Sequence, residues 1–198
     1  GNNEFVSILD NYHEFDEQLQ ENLINLRKKI NIPNDLNRYS EELDNLERQV
    51  TLFQSKIVNQ VIKEYDKEID LIGFHGQTIF HNPDKKISKQ LGDGKLLSQL
   101  TKKIVINNFR EKDLDNGGQG APLTPVFHKL ISNIISQKYK VNFPINIINI
   151  GGITNLTSIV NNFGGTQLDL FARDIGPGNC LIDEWIRKNS KNKFDLDG

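Results

Sequence analysis

The chain has 198 residues, a net charge of −2, one cysteine and no methionine. That length suits one large domain or parts of two, and the near-neutral charge gives no electrostatic reason to expect nucleic acid or an anionic membrane surface. No apolar run approaches a membrane span and the opening residues do not read as a signal peptide, while Cys180 alone cannot form an internal disulfide and points to a reducing cytoplasm.

Without an initiator methionine, Gly1 is expected to be a processed, truncated or tagged start. Residues 4–9 read as a short strand. Over 16–30, Leu19, Leu23, Leu26 and Ile30 recur at helical spacing, so an amphipathic helix is predicted, stopped by Pro33. A second helix is predicted from Ser40, its hydroxyl serving as cap. Leu43, Leu46, Val50, Phe53, Ile57 and Val61 form its apolar stripe. Both helices read as structural.

Residues 69–74 predict a strand running into His75-Gly76-Gln77-Thr78. Ligands bind at strand ends in open α/β sheets, and His75, Gln77 and Thr78 could hydrogen-bond a sugar there, although in isolation a simple turn is the readier explanation of the His-Gly pair. His81-Asn82-Pro83 reads as a turn, 96–102 as a short helix and 103–106 as a strand. Arg110 follows that strand. Its planar fork suits a carboxylate or phosphate, and the alternative is a surface ion pair with Glu111 or Asp113.

The loop 116–123 carries Gly117, Gly118, Gln119 and Gly120, a backbone able to approach a ligand closely. It lacks the Lys-Ser/Thr of a P-loop and does not fit G-x-G-x-x-G after a strand. Pro122 suits the first turn of a helix through Phe127, Leu130, Ile131 and Ile134. The β-branched run 145–150 predicts a buried strand. It breaks at Gly151-Gly152, with Thr154 and Asn155 following, where backbone N–H groups could meet an anion; an ordinary hairpin turn is the alternative. A strand over 156–160, a hairpin over 161–165, a strand over 168–171 and a helix over 180–188 complete the chain. Asp174 is placed where strand gives way to a glycine-rich helix entry, as a general base or as a turn cap. Asp183 and Glu184 read as solvated or capping.

Four motifs follow predicted strands in a specific order: His75-Gly76-Gln77-Thr78; Phe109-Arg110 with the loop 117–123; Asn149 to Leu156, around Gly151-Gly152; and Asp174 to Asn179, with Gly176 and Gly178. Together they resemble the anhydro-N-acetylmuramic acid kinases, from about residue 69 to the end and weakly over the earlier helices. The resemblance implies an α/β fold of the actin/hexokinase/Hsp70-like superfold, two lobes of ribonuclease-H-like topology with a cleft between them. Residues 1–120 would be most of the N-terminal lobe and 121–198 the start of the C-terminal lobe. The family's first phosphate loop and its C-terminal part are not found, so the fold is expected to be incomplete at both ends. Asn108 stands where the family commonly has Asp, and Ile175 where Thr is usual.

The resemblance implies an ATP-dependent kinase that opens the 1,6-anhydro bridge with water and phosphorylates O6, giving N-acetylmuramic acid 6-phosphate for cell-wall recycling in a bacterial cytoplasm. Asp174 matches the catalytic aspartate that activates the water. Thr78, Arg110, His75 and Gln119 fall to the sugar, with Arg110 suited to the lactyl carboxylate. Gly151, Gly152, Thr154, Asn155, Gly176 and Gly178 fall to ATP, whose phosphates Mg²⁺ would bridge; no protein metal ligands are expected. The partners implied are the amino sugar and ATP, with a homodimer admissible and neither nucleic acid nor membrane. Two other readings stand: a non-catalytic fragment or binding subunit, and a relative in the same superfold acting on another sugar or acyl phosphate.

Overall fold

A computed structural model of the chain describes residues 5–65, 67–161 and 168–195 and divides into two units, Leu9–Ala121 and Gly1–Ile8 with Pro122–Gly198. The predicted leucine stripes build the first. Helix α1 (Glu17–Lys29) starts where the Asp16 carboxylate accepts the Leu19 N–H at 2.8 Å, satisfying one orphan donor of the first turn. Leu19, Leu23 and Leu26 are buried along it, with Ile30 just beyond.

Pro33 does not end that layer; it opens a further short helix, α2 (Pro33–Arg38). A first-turn proline sacrifices only an N–H with no helical acceptor. The Asp35 carboxylate takes the amides of Asn31 and Ile32, and those bonds hold its pKa below the ordinary carboxylate value. Helix α3 (Ser40–Glu64) follows directly. Ser40 is its first helical residue, not its cap: the Tyr39 N–H reaches Asp35 O and the Leu43 N–H reaches Tyr39 O, so bonding runs through the junction without a hydroxyl. Leu43, Leu46 and Val50 are buried, Phe53 packs on Phe15 with ring centroids 4.8 Å apart, and Ile57 and Val61 are half-buried.

Strand β1 (Leu71–Phe74) precedes a hairpin that the sequence reading lacked. It comprises β2 (Gln77–Asn82) and β3 (Ile87–Leu91), turned by a 3-10 segment, Pro83–Lys85, whose Lys85 amide bonds to the Asn82 side chain. Ile79, Phe80 and Leu91 of this hairpin join the α1 and α3 leucines in one core. Helix α4 (Gly94–Thr101) leads to β4 (Ile104–Asn107), which pairs parallel to β1 from Leu71↔Ile104 to Phe74↔Asn107. A short helix, α5 (Glu111–Asp115), follows.

In the second unit, the expected strand over 4–9 is not formed by described residues 5–9. No strand pairs with them among the described residues; Phe5 packs edge-on against Phe127 instead, 5.0 Å between centroids. Helix α6 (Thr124–Tyr139) takes Pro125, not Pro122, into its first turn. Strands β5 (Ile145–Ile150), β6 (Ile153–Asn161) and β7 (Leu168–Pro177) form an antiparallel sheet in that order, and α7 (Asn179–Asn189) closes the chain's described elements. Of the hairpin expected over 161–165, Asn161 ends β6 and the rest lies outside the described residues.

Alternation along the strands separates two faces. Ile145, Thr157 and Ile159 are buried on the face that α6 covers, where His128 Nδ1 meets Thr157 Oγ1 at 2.8 Å and Lys129 Nζ donates to Leu168 O at 2.7 Å. Ile148 and Phe171, on the other face, are exposed.

Candidate functional site

In the unit Leu9–Ala121 the ends of the parallel pair β1 and β4 set two side chains against each other. Arg110 Nε donates to His75 Nε2 at 3.2 Å. His75 Nδ1 lies 2.9 Å from Gly76 O. A carbonyl can only accept, so Nδ1 carries the ring proton and Nε2 offers its lone pair to the guanidinium. Gly76 has φ +69°, and a side chain there would run into the carbonyl of Leu91; the sharp exit from β1 therefore requires glycine.

The ion pair offered as an alternative for Arg110 is not formed. Glu111 bonds to Asn108, and Asp113 Oδ2 accepts the Gly120 amide at 2.7 Å. Among the described residues the ion pairs are Lys29–Glu42, Lys89–Glu47 and Lys188–Glu184, so Arg110 is half-buried without a carboxylate partner. Burial lowers its pKa, yet a guanidinium stays charged at neutral pH. Such a group is suited to an incoming anion. A polar cavity of about 230 Å³ opens beside His75, lined in part by Gln90, Asn107 and Asn108.

Thr78 and His81 lie on β2, so His81 belongs to a strand rather than the predicted turn. A bulge between Thr78 and Phe80 shifts the register. It turns the successive residues Ile79 and Phe80 both into the core. Thr78 pairs with Gln90 and His81 with Ser88, and these four share the hairpin's polar face. His81 Nδ1 is 3.0 Å from Ser88 Oγ. Its pKa is lowered, first by burial and then by the charge of Arg110, against an opposing hydrogen bond with the Gln119 main chain. Gln119 itself is exposed on the glycine-rich loop. His75 and Arg110 are thus brought into direct contact, while Thr78 shares no hydrogen bond with Arg110 among the described residues. His81 is the residue sequence reasoning missed as part of this cluster.

The second set lies at one end of the β5–β6–β7 sheet. Asp174 is inside β7, which continues to Pro177, rather than at the strand's end as expected. It pairs with Asn155, which pairs with Asn149, so the three polar residues form one row across the sheet on the α6 face. A bulge at Ile175 separates this row from the Thr154↔Gly176 pair. The glycines differ in role. The Gly178 N–H donates to Gly152 O at 2.9 Å and the Asn179 N–H to Gly151 O at 2.8 Å, and Thr154 Oγ1 donates to Pro177 O at 3.3 Å. A side chain at Gly178 would strike the Gly151 carbonyl, whereas one at Gly176 would meet open space. The turn is therefore fastened to the entry of α7, with an uncovered backbone at Gly176. Glu184 pairs with Lys188 at 2.7 Å in solvent, as its sequence position suggested.

Among the described residues no helix is long and apolar enough to cross a membrane. The family described as anhydro-N-acetylmuramic acid kinase matches residues 3–198. An anhydro-N-acetylmuramic acid kinase of Pelagibacter ubique is 48% identical over 198 residues, all of this chain and 51% of the relative. Proteins of the same name from Brucella canis and Agrobacterium fabrum are 40% and 41% identical, each over 79% of this chain and 41% of the relative. The chain spans about half the length of the curated relatives it matches. With motifs, identity and family match agreeing across nearly all of its residues, the chain belongs to the anhydro-N-acetylmuramic acid kinase family.

Proposed function

We propose that this chain carries the central part of an ATP-dependent kinase that hydrolytically opens 1,6-anhydro-N-acetylmuramic acid and phosphorylates O6 to give N-acetylmuramic acid 6-phosphate. The observation that carries this reading is Arg110: a half-buried guanidinium, held by His75 and unpaired with any carboxylate among the described residues. It suits the lactyl carboxylate, the sugar's one anion before transfer. Thr78 and Gln119 supply further polar groups for the sugar. Asp174 takes a proton from water, the water oxygen bonds to the anomeric carbon, and the bond from that carbon to O6 breaks. O6 keeps that bond's electron pair and bonds to the γ-phosphorus of the co-substrate ATP, and ADP leaves.

The Gly151-Gly152 turn with Thr154, Asn155, Gly176 and Gly178 fits a phosphate chain. The backbone is bare at Gly176, and in the first turn of α7 the amides of Cys180 and Leu181 lack helical acceptors, that of Asn179 being bonded to Gly151 O. Gly178 contributes by close packing, its own amide being bonded to Gly152. Mg²⁺, when bound with ATP, would neutralise phosphate charge. The two units correspond, in this reading, to the two lobes of a ribonuclease-H-like fold, and the division at Ala121 supports that assignment. Cell-wall recycling in a bacterial cytoplasm, by a monomer or a homodimer, is the setting.

Mass spectrometry of the anhydro sugar incubated with the chain, ATP and Mg²⁺ tests this. A product heavier by one water and one phosphoryl group is expected. An unchanged sugar would favour the second reading, a binding portion of a longer kinase, which the half-length match to the relatives supports. Where turnover is seen, Asp174→Asn should lower it by roughly 10²–10⁴-fold, the usual worth of a general base; an unaltered ring-opening rate would remove Asp174 from that role.

A further inference from the structure

The long helix α3 carries two polar side chains on the face it turns toward the β2–β3 hairpin. Glu47 and Thr51 are one turn apart, so they point the same way. Thr51 is fully buried and Glu47 half-buried. They take two successive main-chain amides of the turn between β3 and α4. The Gly92 N–H donates to Glu47 Oε1 at 3.2 Å, and the Asp93 N–H donates to Thr51 Oγ1 at 2.9 Å. The Thr51 hydroxyl spends its own proton on Glu47 O at 2.7 Å, which leaves its lone pairs for Asp93. Lys89 Nζ donates to the same Glu47 oxygen as Gly92, at 2.9 Å, so the carboxylate is compensated where it enters the fold. Gly92 and Asp93 lie outside helix and strand, and these side chains do for them what a ladder or helix does for other amides.

The turn held in this way is the one against which the His75 turn rests. A Cβ at Gly92 would lie 3.2 Å from the Gly76 Cα and closer still to the Phe74 ring, and one at Gly76 would strike the Leu91 carbonyl. The two turns therefore meet backbone to backbone, with no side chain between them to absorb a shift. On the far side, Gly76 O accepts from His75 Nδ1 at 2.9 Å, and His75 Nε2 accepts from Arg110 Nε at 3.2 Å. Contact is thus continuous from the α3 carboxylate to the guanidinium. Glu47, Lys89 and His75 also line one polar cavity.

We infer that Glu47, with Thr51 beside it, is a positioning pair: from α3 it fastens the Gly92-Asp93 turn, which backs the His75-Gly76 turn and so sets where His75 holds Arg110. The use of Arg110 for the sugar carboxylate rests on the proposed kinase function; the fastening itself does not.

Hydrogen exchange followed by NMR tests this. In the unmodified chain the amides of Gly92 and Asp93 should be protected, and exchange at the rate of an unfolded chain would overturn the inference. Glu47→Ala should speed exchange at Gly92 by roughly 10- to 100-fold, as for a lost hydrogen bond to a charged group. Exchange of the Arg110 Nε–H should also quicken, by more than the change that Leu23 and Leu26 on α1 report for the whole unit. Glu47→Gln, which keeps an oxygen for Gly92, should restore much of both. An Arg110 Nε–H that follows only the α1 amides while Gly92 loosens would make Glu47 merely structural and overturn the inference. Should Glu47→Ala not fold, Thr51→Val removes the acceptor for Asp93 while keeping the side chain's shape, and the Asp93 amide and the Arg110 Nε–H decide in the same way. In a turnover assay Glu47→Ala should raise KM for the anhydro sugar with kcat largely kept. Absence of turnover in the unmodified chain and every variant would count against the kinase reading alone, because exchange needs no catalysis.

Discussion

Leu26 on α1 is 0% exposed, while Trp185 on α7 is 64% exposed and α7 buries none of its residues. Both helices are amphipathic, with apolar residues repeating at helical spacing. In the unit Leu9–Ala121, α1, α3 and the β2–β3 hairpin bury their apolar residues against one another in one core. In the other unit, α6 covers one face of the sheet, and Ile148, Phe171 and, on α7, Leu181, Ile182 and Trp185 are exposed. Amphipathic spacing therefore reports which residues seek cover, and only the fold reports which of them receive it.

The sharpest way to break this comparison is to truncate a residue from each side. Leu26→Ala should destabilise by about 2–5 kcal/mol, the cost of emptying a filled core position. Trp185→Ala should change stability by less than about 0.5 kcal/mol, as for exposed sites without special contacts. Urea denaturation of both variants checks the pair. Equal losses would mean that α7 is covered in solution.

The functional sets differ in the same manner. Side chains organise the first, through His75, Arg110, His81 and Ser88, whereas main-chain bonds organise the turn at Gly151 and Gly152. Gly178→Ala should accordingly cost about 1–3 kcal/mol, as overpacking does, by driving a methyl group into the Gly151 carbonyl. Gly176→Ala, with open space before it, should be nearly silent in stability. A melt in which the two behave alike would show that the turn is not fastened to α7 as described.

Much of this was legible from residue spacing. The leucines of α1 and α3, the strands β1 and β4, and the strand-end placement of His75 and Arg110 all follow from periodicity and glycine punctuation; β5 forms as predicted, but only Ile145 of it is buried, because one face of its sheet is uncovered. The β2–β3 hairpin did not, for two physical reasons. The bulge sends Ile79 and Phe80 to the same face, destroying the alternation that marks a strand. Lys89 then occupies a core-facing position in β3, made tolerable by Glu47 at 2.9 Å, so the inward pattern Ile87-Lys89-Leu91 does not read as apolar. Asp174 reads from sequence as lying where strand gives way to a glycine-rich helix entry, yet β7 continues past it and accommodates Gly176 and Pro177 at its end beyond a bulge.

A smaller effect separates the helix that covers the second sheet from the helices of the first core. Ser132 on α6 is fully buried and its hydroxyl has no hydrogen-bond partner among the described residues. Burying an unpaired polar group is unfavourable. Ser132→Ala should therefore stabilise the chain by about 1 kcal/mol, seen as a higher urea midpoint with an unchanged slope. A destabilised variant would place an unseen partner at that hydroxyl.

The smallest expected effect is a pH dependence confined to the first unit. His81 has its pKa lowered below the ordinary histidine value by burial and by Arg110, so the fold favours its neutral form. Below an unfolded pKa of about 6.5 the unfolded chain binds the proton more readily than the folded one. Stability from this group is thus fully present above that pH and is lost progressively as pH falls through the folded pKa. His81→Gln cannot titrate, so its stability should decline less between pH 7.5 and 5.5 than that of the unmodified chain. The other three histidines, His13, His75 and His128, are the same in both proteins. Matched urea midpoints across this range isolate His81: a shallower slope in His81→Gln is expected, and parallel slopes would mean that burial and Arg110 do not disfavour its protonation.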